Sequence, residues 1–158
     1  MDFLWSPWRY RYVSQAPAPG SCLFCEKAAE HRDRENYILR RGRLNFVLLN
    51  LFPYTTGHLM IAPYGHVAGL GDLNAETLGE MMELAQRAER ALRQTYRPDG
   101  LNLGMNLGQA AGAGVAGHVH LHVLPRWFAD SNFMTTVAET RVQPEDLPST
   151  YEKLQPLF

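Results

Sequence analysis

Apolar and polar residues alternate most regularly at residues 118–123, which read His-Val-His-Leu-His-Val. A period of two residues is typical of a β-strand, so the pattern predicts a strand whose aliphatic side chains lie in the core. The three imidazoles would share the opposite face, each about 6.6 Å from the next. Pro125 has no N–H for a sheet ladder, which predicts that the strand ends or reaches an edge of the sheet there.

Four further strands and two helical segments are predicted from the rest of the chain. The strands are apolar or alternating runs bounded by turn residues. One long helix is predicted because apolar residues recur every three or four positions behind an asparagine N-cap. The predicted strands are Tyr37–Arg41, Leu44–Leu49, Leu59–Ala62 and Leu101–Leu107; the predicted long helix is Asn74–Arg93, and a short helical turn is predicted around Glu145–Leu154.

Length and charge narrow the class of protein. A chain of 158 residues with 46% hydrophobic and 20% charged residues predicts one globular domain. The net charge of −1 gives no overall field that would favour a nucleic acid polymer or an anionic membrane. No apolar run is long enough to span a bilayer, and the N-terminus lacks the apolar region of a secretory signal, so we expect a cytoplasmic protein.

Both ends of the chain differ in composition from its middle. Residues 1–21 begin with aromatic and basic residues and continue into a proline-rich stretch. We interpret them as an arm that packs on its own domain or on a partner subunit, with a floppy tail as the alternative. The domain itself is predicted to span residues 22–133, followed by a C-terminal tail at 134–158.

The two cysteines, Cys22 and Cys25, are too close for an ordinary loop-closing disulfide. Their spacing indicates metal or redox chemistry. A redox pair would require the start of a helix in a β-α-β unit, and the polar stretch Glu30–Asn36 gives no such context. Two thiolates at this spacing suit a tetrahedral zinc site, which then needs two further ligands from elsewhere in the chain.

Several roles are open for the three histidines. The outer pair would stand about 13 Å apart along a strand, too far to share one ion easily. A polar stripe, an oligomeric contact and a hydrolytic metal centre on a His-x-His pair all fit the pattern. His58 and His66 flank the third strand, and neither indicates a function without partners.

Two other segments have the character of ligand sites. Residues 108–117 form a loop of small residues whose backbone N–H groups can approach an anion, although the loop matches neither a Walker A motif nor a dinucleotide fingerprint. Asn50 lies where a strand meets the turn marked by Pro53 and Gly57, a favourable position for contacting a ligand.

The order of these features resembles the histidine triad superfamily of nucleotidyl hydrolases and transferases, from about Cys22 to Phe133. The motifs are Asn50-x-x-Pro53-x-x-x-Gly57-His58 and the alternating histidines after the glycine-rich loop. The opening Trp-x-Pro-Trp-Arg and the late Asn-Phe resemble the bacterial branch related to fragile histidine triad proteins and diadenosine tetraphosphate phosphorylases and hydrolases. The resemblance implies an α+β fold with an antiparallel sheet of about five strands, and a homodimer.

The resemblance also implies residue roles. His120 corresponds to the nucleophile that attacks the α-phosphate of a nucleotide, and His122 to a hydrogen-bond donor on the phosphate side. Asn106 corresponds to a phosphate-side amide, and Asn50 to a ribose contact. Many members have Ser or Thr in the loop where this chain has Gly114, so backbone N–H groups at Gly114, Val115 and Ala116 are expected to serve there.

Some relatives hold a structural zinc, and all four corresponding positions are filled here. The implied ligands are Cys22, Cys25, His66 and His118, a set that closes the tetrahedron and leaves no position for catalysis. The resemblance therefore implies a structural zinc and no requirement for a catalytic metal.

The acceptor of the nucleotidyl group is left open by the sequence. Water gives a hydrolase and orthophosphate a phosphorylase, and a nucleoside phosphoramidase of the same superfamily is an alternative. A catalytic-metal hydrolase and a non-catalytic nucleotide-binding dimer are the rivals from other classes. We expect the dimer to form through the helix at Asn74–Arg93 and the neighbouring edge strand.

Overall fold

The computed structural model describes residues 21–131 and 143–158. Residues 1–20 of the predicted arm, the Asn132-Phe133 pair and residues 134–142 of the predicted tail lie outside the described residues. The elements are α1 (Leu23–Ala29), β1 (Ile38–Arg41), β2 (Asn45–Leu49), β3 (Leu59–Pro63), α2 (Ala75–Tyr96), β4 (Gly100–Gly104), β5 (Leu121–Arg126) and α3 (Leu147–Leu154), with single 3-10 turns at Leu70–Asp72, Gln109–Ala111 and Gln155–Leu157.

One antiparallel sheet of five strands, in the order β1-β2-β3-β5-β4, organises the domain. Every residue of β2 and β3 is buried, because these strands are covered on both faces. The predicted α+β class and antiparallel sheet are therefore confirmed. Among the described residues, no helix is long and apolar enough to cross a membrane.

Helix α2 covers one face of the sheet. The Asn74 side chain accepts the N–H of Thr77 at 2.8 Å and caps the first turn. The helix ends at Arg97, whose φ of 48° is left-handed and stops the helical hydrogen bonding. Its apolar stripe packs on the sheet and on the C-terminal segment; the buried members of this core include Met81, Ala85, Ala88, Leu92, Leu121, Val123, Tyr151, Leu154 and Phe158.

The short helix α1 covers part of the opposite face. Phe24 is 1% exposed and packs with Ile38, Phe46 and Met60 in a second apolar cluster. The Arg41 guanidinium fixes the end of this helix, since it donates to the carbonyl oxygens of Ala28 and Glu30, each at 2.6 Å. Helix α1 is thereby tied to the end of β1.

Two strand boundaries differ from the sequence prediction by three residues, and other boundaries differ by one. β5 begins at Leu121, so His118 and His120 precede the strand and only His122 lies in it. The reason is that the backbone before Leu121 bonds outside the ladder, with the N–H of Val119 donating to Val67 at 2.7 Å. β4 ends at Gly104, which leaves Asn106 in the following loop rather than in the strand.

The end of β5 agrees with the expectation for Pro125. The ladder between β5 and β3 stops at Val123, while the ladder with β4 continues to Arg126. Pro125 therefore lies where β5 has lost its neighbour on one side, and the missing N–H leaves no gap in the β3 ladder.

Candidate functional site

The three histidines are buried rather than presented on an open strand face. His118, His120 and His122 are 1%, 5% and 8% exposed. The rings of His120 and His122 stand 4.8 Å apart between centroids in an edge-on arrangement. The three imidazoles therefore form a packed row, in which each ring has its own hydrogen-bond partner.

The tautomer of His120 follows from its partner. Its Nδ1 lies 2.8 Å from the carbonyl oxygen of His118. A carbonyl oxygen only accepts hydrogen bonds, so Nδ1 carries the hydrogen and donates it. In the neutral ring the lone pair is then on Nε2, which is the nitrogen available to attack an electrophile.

Phe24 fixes the plane of this ring. Its centroid lies 4.8 Å from that of His120 and 5.1 Å from that of His118, with both rings tilted against it. Since Phe24 is buried, it restricts rotation of both imidazoles. Helix α1 thus supports the row from the side opposite α2.

His122 belongs to a second hydrogen-bonded chain. Its Nδ1 is 2.8 Å from Nε2 of His58, and the Nδ1 of His58 accepts the backbone N–H of Tyr54 at 3.1 Å. The hydrogen of His58 is therefore on Nε2, which donates to His122. This leaves the hydrogen of His122 on its own Nε2, where it can be donated to a bound anion.

The sequence alone does not predict the contact of His58 with His122. A lone histidine is more often structural than functional, so its position in the sequence indicates no role. Met60 pairs with His122 across the β3–β5 ladder, and His58 lies two residues before Met60, on the same side. This register of β3 against β5 brings the two rings together. The contact can therefore be predicted only once the pairing of the two strands is known.

Burial lowers the pKa of all three imidazoles of the row, most clearly for His122. Desolvation, followed by the neighbouring His120, lowers the pKa of His122 to about 4. His122 is therefore neutral throughout the physiological range, and its Nε2–H can donate a hydrogen bond without the ring being an imidazolium.

We expect the free energy of unfolding to fall as the pH drops from about 6.5, the ordinary pKa of histidine, towards the folded-state value of His122, about 4. In this window the unfolded chain binds more protons than the folded one, so stability rises with pH. The contribution of His122 to the free energy of unfolding is fully present above the pKa that His122 has in the unfolded chain. It is lost as the pH falls through the pKa that His122 has in the folded protein. Urea unfolding at a series of pH values measures it. His122→Asn should flatten the dependence, and an unchanged slope in that variant would contradict the assignment.

His118 also belongs to a cluster of four possible metal ligands. The ligand atoms of Cys22, Cys25, His66 and His118 all lie within 4.8 Å of one another. Sulfur–nitrogen separations are 3.3 Å for Cys22 and His118, 3.4 Å for Cys25 and His66, and 3.6 Å for Cys25 and His118. Tetrahedral zinc with bonds of about 2.3 Å to sulfur and about 2.0–2.1 Å to nitrogen requires a sulfur–nitrogen separation of about 3.6 Å. The donor set therefore fits one such ion.

The tautomer of His118 also suits a ligand. Its Nε2 donates to the carbonyl oxygen of Pro63 at 2.9 Å, which leaves the lone pair of Nδ1 directed at the two sulfurs. A metal-binding histidine commonly has its other nitrogen held in this way.

The cysteine pair lies at a helix start, contrary to the expectation from sequence. Cys22 is the N-cap of α1 and Cys25 lies in its first turn. Both thiols are free of a disulfide, and α1 leads into the antiparallel β1–β2 hairpin rather than into a β-α-β unit. The helix alone therefore does not restore the redox interpretation.

The glycine-rich loop reaches the row through its last residues. Gly108 and Gly112 have φ angles of 83° and 87°, a backbone conformation that favours glycine. Gly114 is exposed, Val115 and Ala116 are half-buried, and the Val115 carbonyl accepts the N–H of His118 at 3.3 Å. The loop is thus fixed directly before the first imidazole.

The two candidate asparagines occupy different surroundings. Asn50 accepts the N–H of Phe52 at 2.9 Å, and its amide nitrogen lies 3.3 Å from Nδ1 of His58. It is half-buried at the turn, beside the His58–His122 chain. Asn106 is half-buried in the loop that follows β4.

A domain with a five-stranded antiparallel sheet, a packed row of imidazoles and an adjoining Cys₂His₂ cluster belongs to the class of histidine triad folds. Residues 33–129 match the HIT domain family. The chain therefore belongs to the HIT family, and the resemblance inferred from its motifs is confirmed.

Individual relatives agree with this assignment. The chain is 40% identical over 155 residues to an AP-4-A phosphorylase of Mycobacterium tuberculosis, a match that covers 93% of this chain and 79% of that protein. It is 29% identical over 131 residues to a bis(5'-adenosyl)-triphosphatase of Dictyostelium discoideum, covering 79% and 87% of the two chains. A crystal structure of a Zn-bound histidine triad family protein from Mycobacterium smegmatis is similar with a TM-score of 0.70 and 27% identity, covering 89% of this chain and 94% of that one.

Proposed function

We propose that this protein cleaves dinucleoside polyphosphates, such as diadenosine tetraphosphate, at the α-phosphate through a covalent nucleotidyl intermediate on His120. The single observation that carries the proposal is the hydrogen bond from His120 Nδ1 to the His118 carbonyl, which leaves Nε2 as a neutral nucleophile. The names of the two similar proteins, an AP-4-A phosphorylase and a bis(5'-adenosyl)-triphosphatase, support the class of substrate.

The first step forms a bond between His120 Nε2 and the α-phosphorus. The phosphorus–oxygen bond to the distal nucleotide breaks, and the leaving oxygen takes the electron pair. The imidazole becomes positively charged, and the His118 carbonyl that accepts its Nδ1–H stabilises that charge. Attack by a neutral nitrogen avoids bringing a second anion to the phosphate.

The negative charge that develops on the phosphate oxygens must be stabilised by hydrogen-bond donors. In this proposal His122 supplies its Nε2–H, with the amide of Asn106 and the backbone N–H groups of Gly114, Val115 and Ala116. Asn50 contacts the ribose. The loop has no hydroxyl at Gly114, so backbone groups carry the role that Ser or Thr has in many relatives.

The second step transfers the nucleotidyl group from His120 to an acceptor, with water giving AMP and orthophosphate giving ADP. Product analysis with diadenosine tetraphosphate, with and without phosphate, distinguishes the two outcomes. A nucleoside phosphoramidase of the same family remains the alternative. Such an enzyme would prefer a nucleoside phosphoramidate to diadenosine tetraphosphate as its substrate.

Trapping the intermediate tests the whole proposal. A labelled nucleotidyl group should remain on the denatured wild-type protein and be absent from His120→Ala. A catalytic-metal hydrolase would lose turnover reversibly on chelation and form no adduct. A non-catalytic nucleotide-binding dimer would show no turnover and form no adduct.

His122→Ala should lower turnover by roughly 10² to 10³, as expected for the loss of one donor that stabilises developing charge. The effect should fall on kcat more than on substrate binding, because the charge is largest in the transition state. Steady-state kinetics measures it. His31→Ala, a change of an exposed histidine outside the row, is the control. A loss confined to KM would contradict the role.

A structural zinc at Cys22, Cys25, His66 and His118 is the second part of the proposal. The separations between ligand atoms support it, as does the similarity to a Zn-bound family member. All four positions of the tetrahedron are filled by protein atoms, so the ion would hold α1 to the start of β5 and supply folding energy rather than chemistry.

The homodimer is proposed on the basis of the family and of the exposed edge of the sheet. β4 is an edge strand, and its Leu103 is 46% exposed. Met82 of α2 is 54% exposed. The exposed Leu103 lies on an unpaired strand edge, and exposed apolar side chains such as Leu103 and Met82 favour association with a second copy.

A further inference from the structure

A cavity of about 680 Å³ lies at the C-terminal end of β5. Its volume falls within the range of about 300–1,000 Å³ that is typical of small-molecule sites. The walls come from the turn at residues 54–56, the end of β5, the end of α2 and the C-terminal segment. None of the residues to which the mechanism assigns a role lines it.

The cavity adjoins the imidazole row. Tyr54 lines it, and the Tyr54 ring stands 5.9 Å from that of His122 in a stacked arrangement. Leu124 and Arg126 also line it, and they follow His122 on β5 in steps of two, so their side chains leave the strand on the same face. Arg126 lies about 13 Å along the strand from His122.

The walls are fixed by hydrogen bonds between segments distant in sequence. Thr55 donates from its hydroxyl to the Pro125 carbonyl at 3.2 Å. Gln143 donates to the Pro53 carbonyl at 3.1 Å and accepts from the Thr56 hydroxyl at 3.4 Å. The turn is thereby tied both to β5 and to the C-terminal segment, so the cavity is preformed.

The cations at the cavity are already neutralised. Arg126 donates to both carboxylate oxygens of Asp130, at 2.6 and 2.7 Å, and Lys153 is paired with Glu145. These four charges sum to zero. A polyphosphate chain would gain little electrostatic attraction here, because both cations are already paired. An uncharged base and ribose would not be repelled by the carboxylates, and they could form hydrogen bonds with the hydroxyl and carboxylate groups of the walls.

Aromatic rings supply the matching contact surface. Trp127 is half-buried at the end of β5 and packs edge-on against Tyr96, with 6.5 Å between ring centroids. Both rings line the cavity. Stacking on Trp or Tyr is a general way to bind a nucleobase, because every base has a π-face.

We propose that this cavity binds the distal nucleoside, the one that departs with the leaving nucleotide when a dinucleoside polyphosphate is cleaved at His120. The proposal rests on the function proposed above. It assigns the polyphosphate chain to the space between His122 and the cavity, and the distal base to the aromatic surface at Trp127.

Two substrates separate the distal subsite from the reaction centre. Diadenosine tetraphosphate has a distal nucleoside, whereas the imidazolide of AMP offers the same α-phosphorus with imidazole as leaving group. Trp127→Leu should lower kcat/KM for the dinucleotide by between about fivefold and about 150-fold more than for the imidazolide, the effect of losing one stacked base. The loss should appear mainly in KM.

Three further variants complete the test. Trp127→Phe should restore most of the activity, since it keeps a stacking ring. Ser131→Trp, at an exposed position that lines the cavity, should reproduce the selective loss by filling the space without removing a buried group. Phe128→Leu is the matched control, because Phe128 lies beside Trp127 but is 89% exposed and does not line the cavity.

The outcomes are distinct. Equal losses on both substrates, or no selective loss in either Trp127→Leu or Ser131→Trp, overturn the subsite while leaving the proposed function in place. A wild-type protein that forms no product from diadenosine tetraphosphate overturns the proposed function, and the subsite with it. Melting temperatures identify a variant that fails to fold, and Ser131→Trp then decides.

Discussion

His120→Asn is expected to lower turnover of diadenosine tetraphosphate by at least about three orders of magnitude while nucleotide affinity stays within about tenfold. The asparagine amide can still donate to the His118 carbonyl, so the variant keeps the hydrogen bond that the Nδ1–H makes at 2.8 Å. It lacks the Nε2 lone pair. The expected loss of turnover therefore measures the contribution of the Nε2 nucleophile, separately from the hydrogen bond to the backbone.

Single-turnover kinetics and equilibrium binding of a non-hydrolysable analogue measure the two quantities. His120→Ala should behave similarly, and neither variant should carry a nucleotidyl adduct. His31→Ala should retain wild-type turnover, because this exposed histidine lies outside the row. A His120 variant that kept even about a tenth of wild-type turnover would remove this residue as the covalent nucleophile.

Replacing Cys22, one of the four proposed zinc ligands, should affect stability more than chemistry. Cys22→Ser is expected to cost about 3 kcal/mol or more, since loss of a structural metal is among the changes with large effects on stability. At about 2–4 °C per kcal/mol for a chain of this size, the melting temperature should fall by about 6–12 °C. The rate of the protein that stays folded should change less, because the hydrogen bond from His120 to His118 is made to the backbone carbonyl and not to the imidazole.

Elemental analysis without a histidine tag or chelators gives the independent readout. About one zinc per chain is expected in the wild type, and well under about half would refute the site. Phe24→Leu is the matched control, because Phe24 lies between the two cysteines in sequence and packs on His118 without being a ligand. It should lower stability yet retain the metal. If Cys22→Ser and Phe24→Leu lost equal stability and neither protein held zinc, Cys22 would contribute packing alone.

Local patterns in the sequence predicted much of the secondary structure. The three- and four-residue recurrence of apolar positions located α2, and the Asn74 cap fixed its start, because both depend on neighbours within one turn. The end moved from Arg93 to Tyr96, where a left-handed Arg97 stops the helix. Period-two alternation placed the strands within a few residues, and the spacing of the two cysteines and of the three histidines indicated the chemistry of the site.

Strand boundaries near the site required the tertiary structure. Alternation predicted a strand from His118 onward, yet β5 begins at Leu121 because Val119 bonds to Val67 outside the ladder. The same alternation predicted that the preceding strand, β4, extends to Leu107, whereas β4 ends at Gly104. A periodic pattern describes which way side chains point, but hydrogen bonds to a partner strand decide where a strand starts and stops.

By itself, the sequence determined the identity and order of the chemical groups: the histidine row, the cysteine pair, the glycine-rich loop and the family to which they belong. The tertiary structure alone decided which groups meet. Cys22 and His118 are 96 residues apart in the chain, and His58 and His122 are 64 apart, yet each pair lies within hydrogen-bonding distance. Such contacts depend on the register of β3 against β5 and on the packing of α1. These arise from the summed burial of many side chains and leave no local signature in the residues they bring together.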